Sequence, residues 1–128
     1  MTAELAQLAP TAGPRDEAGA GVYDDGRLRV EHDNYYAACD GQLLKFPRTE
    51  FLLLSRLVRN VGRIVRAEDL WGHVWGDRKS YNPDSLHVHI YRLRGKLAPF
   101  GVRIEAMIGV GYRLIPGASD EAGGRESA

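Results

Sequence analysis

The run from Asn82 to Leu97 constrains the fold most, because its apolar residues follow helical spacing. They recur at intervals of three and four residues, on one side of an α-helix: Leu86, Ile90, Leu93 and Leu97. Asn82 is a preferred helix N-cap, and the proline after it suits the first turn, where no backbone N–H is needed. We therefore predict a helix over residues 82–97 that packs this apolar stripe into a core.

The other side of this predicted helix is basic, aromatic and rich in hydrogen-bond donors. A helix that is anchored in a core and presents such a face has the form that reads base edges in the DNA major groove. The alternative is an ordinary solvated surface, since basic helix surfaces are common. The candidate DNA-binding residues here are Ser85, His87, Val88, His89, Tyr91, Arg92, Arg94 and Lys96.

Charge is distributed unevenly along the chain, although its 128 residues sum to a formal net charge of zero. Residues 47–116 carry twelve Lys or Arg side chains and six Asp or Glu, whereas residues 1–26 and 117–128 are acidic overall. A basic segment favours a polyanionic partner, most often nucleic acid, and acidic ends can reduce non-specific binding. A solvated basic surface with no partner is again the alternative.

Composition divides the chain into three parts. Residues 1–21 are rich in Ala, Gly and Pro and predict a disordered arm or linker, and residues 117–128 predict a disordered tail. The stretch between them, residues 22–116, is the length of one small domain. The chain therefore contains a single folded domain. We expect it to be either a fragment of a longer protein or a protein that acts alone.

Residues 22–44 alternate polar and apolar side chains in short runs that are separated by turn signals. Asp25-Gly26 and Asp40-Gly41 are dipeptides that tight hairpin turns prefer, because glycine accepts a positive φ at low cost. Strands this short need helices to cover them. The predicted antiparallel meander has strands at Val22–Asp24, Leu28–Glu31, Tyr35–Cys39 and Gln42–Leu44.

Three helices and a terminal hairpin are predicted after this meander. Trp71 and Trp75 are four residues apart, and we expect them to pack in the core rather than to stack on bases. Gly109 and Gly111 permit a sharp hairpin tip. The predicted helices cover residues 47–60, 67–74 and 82–97, and the predicted strands are Val102–Ile108 and Tyr112–Ile115.

Neither a membrane protein nor an enzyme is predicted. No apolar run approaches the roughly 20 residues of a membrane span, and the lone Cys39 excludes an internal disulfide, so we expect a cytoplasmic protein. His87 and His89 are two apart on a helix and therefore point in different directions, which does not suit a shared metal ion. Cys39 has no evident base beside it. We expect no catalytic residues, no metal and no cofactor.

The predicted order of elements is an α+β winged helix-turn-helix, with an N-terminal four-stranded antiparallel sheet, three helices and a C-terminal β-hairpin wing. The chain resembles the OmpR/PhoB family of winged-helix DNA-binding domains, the effector half of many bacterial response regulators. The segments that carry the resemblance, in order and at family spacing, are Thr49-Glu50-Phe51, Gly62-Arg63-Ile64-Val65, Leu70 to Gly76, Val88 to Arg94, and Gly109 to Leu114.

The resemblance implies that residues 82–97 enter the major groove of double-stranded DNA and that the wing approaches the adjacent minor groove. By position, Arg92 would contact base edges, whereas Arg94 and His89 would contact phosphates. The alternative for His89 is a histidine that packs within the domain. Val88 would touch a thymine methyl, and His87 would read a base only in one protonation or tautomer state. Tyr91 would reach a phosphate or a base. Arg63 and Arg66 would bind phosphate, and the alternative for both is plain solvation.

Two segments depart from the family pattern. The wing has Ile108 and Glu105 where the family usually has arginine, so the resemblance does not imply that a cation of the wing enters the minor groove. The loop between the second and third helices tends to be acidic in the family and can touch RNA polymerase, whereas here Asp77 is followed by Arg78 and Lys79. This loop is expected to contact either polymerase or DNA.

Two functions remain open on the sequence. The first is sequence-specific DNA binding by a bacterial transcriptional regulator located at the nucleoid, with self-association on repeated half-sites. The alternative is a winged-helix module that contacts RNA polymerase or another regulator and has little specific affinity for DNA. Glu105 and the neutral total charge favour the alternative, while the basic core segment, Arg92 and Arg94 favour DNA binding.

Overall fold

The computed structural model describes residues 21–117. Except for Gly21 and Gly117, the predicted arm over residues 1–21 and the predicted tail over residues 117–128 lie outside the described residues. The strands are β1 Val22–Asp24, β2 Leu28–Glu31, β3 Tyr36–Cys39, β4 Gln42–Leu44, β5 Val65–Arg66, β6 Arg103–Met107 and β7 Gly111–Ile115. The helices are α1 Arg48–Arg59, α2 Ala67–Trp75 and α3 Pro83–Leu97.

The N-terminal sheet is the predicted antiparallel meander, with strand order β1-β2-β3-β4. Asp40 and Gly41 both have positive φ, 52° and 81°, and form the predicted two-residue turn between β3 and β4. The turn between β1 and β2 is longer, because the Asp25 carboxylate accepts hydrogen bonds from the backbone N–H groups of Arg27 and Leu28. Strand β3 begins one residue later than predicted, since Tyr35 has a left-handed φ of 52°.

The C-terminal sheet has three strands rather than the predicted two. Strand β5 pairs antiparallel with β7, placing Val65 opposite Tyr112, so the order is β5-β7-β6. The sequence suggested only a connector at Ile64 and Val65, because a strand of two residues has no periodicity of its own. Gly111 permits the close pairing, since a Cβ there would lie 2.0 Å from the Val65 carbonyl oxygen.

The three helices and the inner faces of both sheets share one core. The apolar stripe of α3 is buried as predicted, with Leu86, Ile90, Leu93 and Leu97 each at most 1% exposed. Trp71 and Trp75 also lie in the core, 5% and 8% exposed, with ring centroids 4.1 Å apart. Core packing is therefore confirmed for both tryptophans.

Candidate nucleic-acid interface

Helix α3 is capped at its start and held by its buried stripe. The Asn82 side-chain oxygen accepts a hydrogen bond from the Ser85 backbone N–H at 3.0 Å, which satisfies one of the unpaired donors of the first turn. Pro83 occupies the first helical position, where a missing N–H has no cost. The direction of the exposed face is therefore set by capping at one end and by core packing along the length.

Four of the predicted DNA-binding residues of α3 lie on that exposed face: His87, Val88, Tyr91 and Arg92. Val88 is 43% exposed and Tyr91 is 69% exposed, so an apolar group and an aromatic group stand beside two nitrogen-bearing side chains. Within residues 21–117, no hydrogen bond or ion pair engages the Arg92 guanidinium. Its donors are available to a partner molecule.

Ser85 and His89 are half-buried and interact with each other, and His89 also packs on the core. His89 Nδ1 lies 2.9 Å from the Ser85 carbonyl oxygen, which can only accept, so this nitrogen carries the hydrogen. The His89 ring also packs edge-on against Trp75, with centroids 5.2 Å apart. His89 therefore positions α3 against α2 in addition to any contact that it makes with a partner.

Arg94 and Lys96 both bond to the elements that pack around α3, which we call the frame of the domain. Arg94 Nε donates to the Ile104 carbonyl oxygen at 2.9 Å, which links α3 to strand β6. Lys96 Nζ lies 2.9 Å from Glu50 Oε1 and 5.6 Å from the centre of the Phe46 ring. The helical projection places both side chains beside the exposed face, but their length allows them to reach back to the domain.

The start of α2 carries the other two predicted phosphate contacts. Arg63 and Arg66 are exposed, and Arg66 Nε is 3.9 Å from the Glu68 carboxylate. Glu68 and Asp69 make the first helical turn acidic, and the Ala67 backbone N–H already donates to the Val110 carbonyl oxygen. The helix N-terminus therefore offers little to an anion, and the two arginine side chains are the available groups.

The loop between α2 and α3 is tied to α2 by two hydrogen bonds. Trp71 Nε1 donates to the Lys79 carbonyl oxygen at 3.0 Å, and Arg78 Nη2 donates to the Val74 carbonyl oxygen at 3.3 Å. The side chains of Asp77, Arg78 and Lys79 are nevertheless exposed. The loop thus presents two cations and one carboxylate from an anchored backbone.

The base of the wing contains an ion-paired cluster instead of free cations. Glu105 accepts from Arg113 Nε at 2.9 Å and from Arg103 Nη1 at 3.1 Å. The hydrogen bond from Arg113 is the main reason why the pKa of the Glu105 carboxyl lies below its usual range. The three side chains together keep one positive charge, so Glu105 does not make the wing repel phosphate.

The tip of the wing is apolar and borders a cleft that it shares with α3. Ile108 is 96% exposed, Met107 51% and Val110 46%. The cleft has a volume of about 350 Å³ and is lined on its other sides by residues that include Glu68 of α2 and His87 of α3. The tip residues were not predicted as a site from the sequence, although apolar residues around a hairpin glycine are a signal, because polar residues usually occupy such turns.

Neither a metal site nor a membrane-spanning helix is found in the described residues. From 21 to 117, no three His, Cys, Asp or Glu side chains come together as ligands for a metal ion. No helix in the same part of the chain has the length and hydropathy needed to cross a membrane.

Comparison with known proteins places these features in a family. A family model described as "Transcriptional regulatory protein, C terminal" matches residues 41–114. The regulatory protein VanRB of Enterococcus faecalis is 37% identical over 100 residues, which cover 78% of this chain and 44% of that protein. The chain spans about half the length of the curated relatives it matches.

Two solved DNA-binding domains have a similar fold. The DNA-binding domain of CpxR from E. coli superposes with a TM-score of 0.65 at 29% identity, covering 76% of this chain and 98% of that one. The Klebsiella pneumoniae RstA DNA-binding domain, solved in complex with the RstA box, superposes with a TM-score of 0.63 at 26% identity. That match covers 74% of this chain and 97% of the RstA domain.

Proposed function

The chain belongs to the family of C-terminal domains of transcriptional regulatory proteins, and from this membership we propose that it binds double-stranded DNA at specific sequences. The RstA domain, which has this fold, was solved with its DNA box. Helix α3 enters the major groove with its exposed face towards the bases. The observation that carries this proposal is the exposed Arg92 guanidinium, free of partners within residues 21–117, on a helix whose opposite stripe is fully buried.

The residues of α3 divide into those that face bases and those that hold the helix. Arg92 donates two hydrogen bonds to a guanine, a pairing worth about 1–3 kcal/mol of discrimination. His87, Val88 and Tyr91 contact neighbouring bases or phosphates. Lys96 forms an ion pair with Glu50, and we therefore assign it to the frame of the domain rather than to the DNA surface.

Phosphate contacts come from cations around α3 and from its first turn. Arg63 and Arg66 at the start of α2 contact one stretch of backbone, while Arg78 and Lys79 of the anchored loop contact another. Ser85 adds a hydroxyl donor at the start of α3, and the outer guanidinium nitrogens of Arg94 add a cation near its end. His89 contacts phosphate as a donor only when its second ring nitrogen is also protonated.

We further propose that the protein acts in the cytoplasm, at the nucleoid, as the effector part of a bacterial response regulator. The relatives are named as response regulators and regulatory proteins, and this chain covers about half of their length. Two copies occupy repeated half-sites. Asp77 is the loop residue best suited to a basic surface on RNA polymerase, because its carboxylate is exposed.

The test is a selection from a random duplex library with the purified chain at about 100 mM salt, the range in which phosphate contacts remain measurable. Wild type is compared with Arg92→Ala and with Arg48→Ala, which removes the same charge from the exposed start of α1. We expect an enriched motif that is kept by Arg48→Ala and lost or relaxed at one position by Arg92→Ala. No enrichment with wild type overturns the proposal.

The second candidate function is a protein-interaction module, and the apolar wing tip is the observation that favours it. Such a module contacts RNA polymerase or another regulator and binds DNA weakly and without sequence preference. In that case, binding would fall uniformly with salt and would not depend on Arg92. The same selection therefore separates the two functions.

A further inference from the structure

The tip of the wing carries the most exposed large apolar side chain of residues 21–117, and the proposed function does not use it. Met107, Ile108 and Val110 surround Gly109, and Ile108 is 96% exposed. No residue from 106 to 112 carries a charge. The tip therefore has no means of forming an ion pair with phosphate, yet it presents a branched aliphatic side chain to whatever lies in front of it.

Backbone hydrogen bonds hold this tip in place. The Val110 N–H donates to the Met107 carbonyl oxygen at 2.9 Å, and the Val110 carbonyl oxygen accepts from the Ala67 N–H at 3.0 Å. Strand β7 is fixed on its other side by β5, where Gly111 packs against the Val65 backbone. Because the tip is already ordered, inserting it into a partner costs little conformational entropy.

The tip also lies beside α3, across a cleft that the two elements share. His87 of α3 and Ile108 of the tip line one cleft, so a molecule that lies along the exposed face of α3 also meets the tip. For a duplex whose major groove holds α3, the neighbouring feature is the minor groove. Proteins that bend DNA commonly insert apolar side chains, isoleucine among them, between base steps from the minor groove.

We propose that Ile108, flanked by Met107 and Val110, is an apolar wedge that enters the minor groove beside the α3 site and partly unstacks one base step. This inference rests on the proposed DNA binding. The wedge adds affinity by burying apolar surface and therefore releases no counterions. It selects steps that unstack easily, such as TA and CA, and gives preference at base pairs that α3 does not touch.

The experiment uses the full chain and the duplex obtained from the selection, with 2-aminopurine placed at the step next to the α3 site. Wild type is expected to increase the fluorescence of this base analogue, because the analogue is quenched when stacked. Ile108→Ser is expected to abolish the increase and to weaken binding roughly tenfold, the effect of losing one buried aliphatic side chain. The slope of log K against log salt stays the same.

Two further variants control this result. Leu43→Ser removes an aliphatic side chain that is 54% exposed in the other sheet, and it is expected to change neither affinity nor fluorescence. Ile108→Arg exchanges the wedge for a cation, so it is expected to lose the fluorescence increase and to steepen the salt slope by about 0.9 for the phosphate it neutralises.

Different outcomes of the experiment would overturn the wedge proposal and the proposed function. If wild type binds its duplex specifically but Ile108→Ser keeps full affinity and the fluorescence increase, the wedge is overturned while DNA binding stands. The wedge is also overturned if the tip proves to contact protein, seen as a loss of transcription in Ile108→Ser with unaltered DNA binding. If wild type binds no duplex specifically, both proposals are overturned.

Discussion

Lys96 Nζ lies 2.9 Å from Glu50 Oε1, and this ion pair joins the last turn of α3 to the first turn of α1. The Glu50 side chain is only 4% exposed, whereas the Lys96 side chain is 42% exposed. The carboxylate is thus removed from water and depends on its partner, while the ammonium remains half-hydrated. The pair fixes the far end of α3, just as the Asn82 cap fixes its start.

Replacing Lys96 with Met is expected to lower the free energy of unfolding by about 2 kcal/mol, because Glu50 loses its charged partner in a buried position. Lys96→Arg keeps the charge and is expected to lose much less. Urea unfolding followed by circular dichroism measures both variants. Equal stability of wild type and Lys96→Met would show that the pair contributes nothing.

Glu50→Gln combined with Lys96→Met provides the matched test, because the double variant leaves no buried charge to satisfy. It is expected to be more stable than Lys96→Met alone. The slope of DNA affinity against salt should stay at the wild-type value in folded Lys96→Met, since Lys96 is assigned to the frame and not to phosphate.

Gly111→Ala is expected to destabilise the domain by about 2 kcal/mol or more, because its Cβ would lie 2.0 Å from the Val65 carbonyl oxygen and would separate β5 from β7. Gly95→Ala is the control. Gly95 lies within α3 with nothing near its added Cβ, and alanine there should stabilise the helix by about 0.5–1 kcal/mol. Thermal unfolding of the two variants should therefore shift in opposite directions.

The elements that could be predicted from sequence are those whose signal is local. The stripe of α3 repeats every three or four residues, and the Asp40-Gly41 turn is encoded by two adjacent residues, so both were predicted correctly. Strand β5 was missed because it contains two residues and exists only through its pairing with β7, 47 positions away for Val65 and Tyr112. No local pattern carries that information.

The candidate site shows the same limit. A helical projection gives the direction of each Cβ, which was enough to place Arg92 and Tyr91 on the exposed face. It does not give the path of a long side chain. Lys96 bends towards Glu50, 46 positions away in the chain, and Arg94 bends towards Ile104, so only the folded structure shows that both cations also bond to other parts of the domain.

Cys39 is fully buried in β3, and burial raises the pKa of its thiol above the ordinary value of 9.0. The unfolded chain therefore releases this proton first as the pH rises. Stability is expected to be complete below pH 9 and to fall above it, through the interval up to the folded pKa. Burial also raises the pKa of the Tyr23 phenol, so the titration of this group lowers stability further at higher pH.

Cys39→Ala separates the two groups, because it removes the thiol and leaves the Tyr23 phenol in place. The expected result is a weaker loss of stability between pH 9 and pH 10 in this variant, measured by urea unfolding at each pH. In wild type, the thiol should react with an aromatic disulfide reagent only as fast as the protein opens. Rapid modification of the folded protein would contradict the burial of Cys39.

Glu105→Gln is expected to strengthen DNA binding several-fold and to steepen its salt dependence. Glu105 accepts hydrogen bonds from Arg103 and Arg113, and neutralising the carboxyl removes the negative charge that offsets these two guanidinium groups beside the minor groove. Glu31→Gln is the matched control, because Glu31 is paired with Arg29 in the other sheet at 2.8 Å. Fluorescence anisotropy of a labelled duplex over a series of salt concentrations measures both variants. Equal affinities and slopes for the two variants would mean that the base of the wing lies outside the reach of DNA.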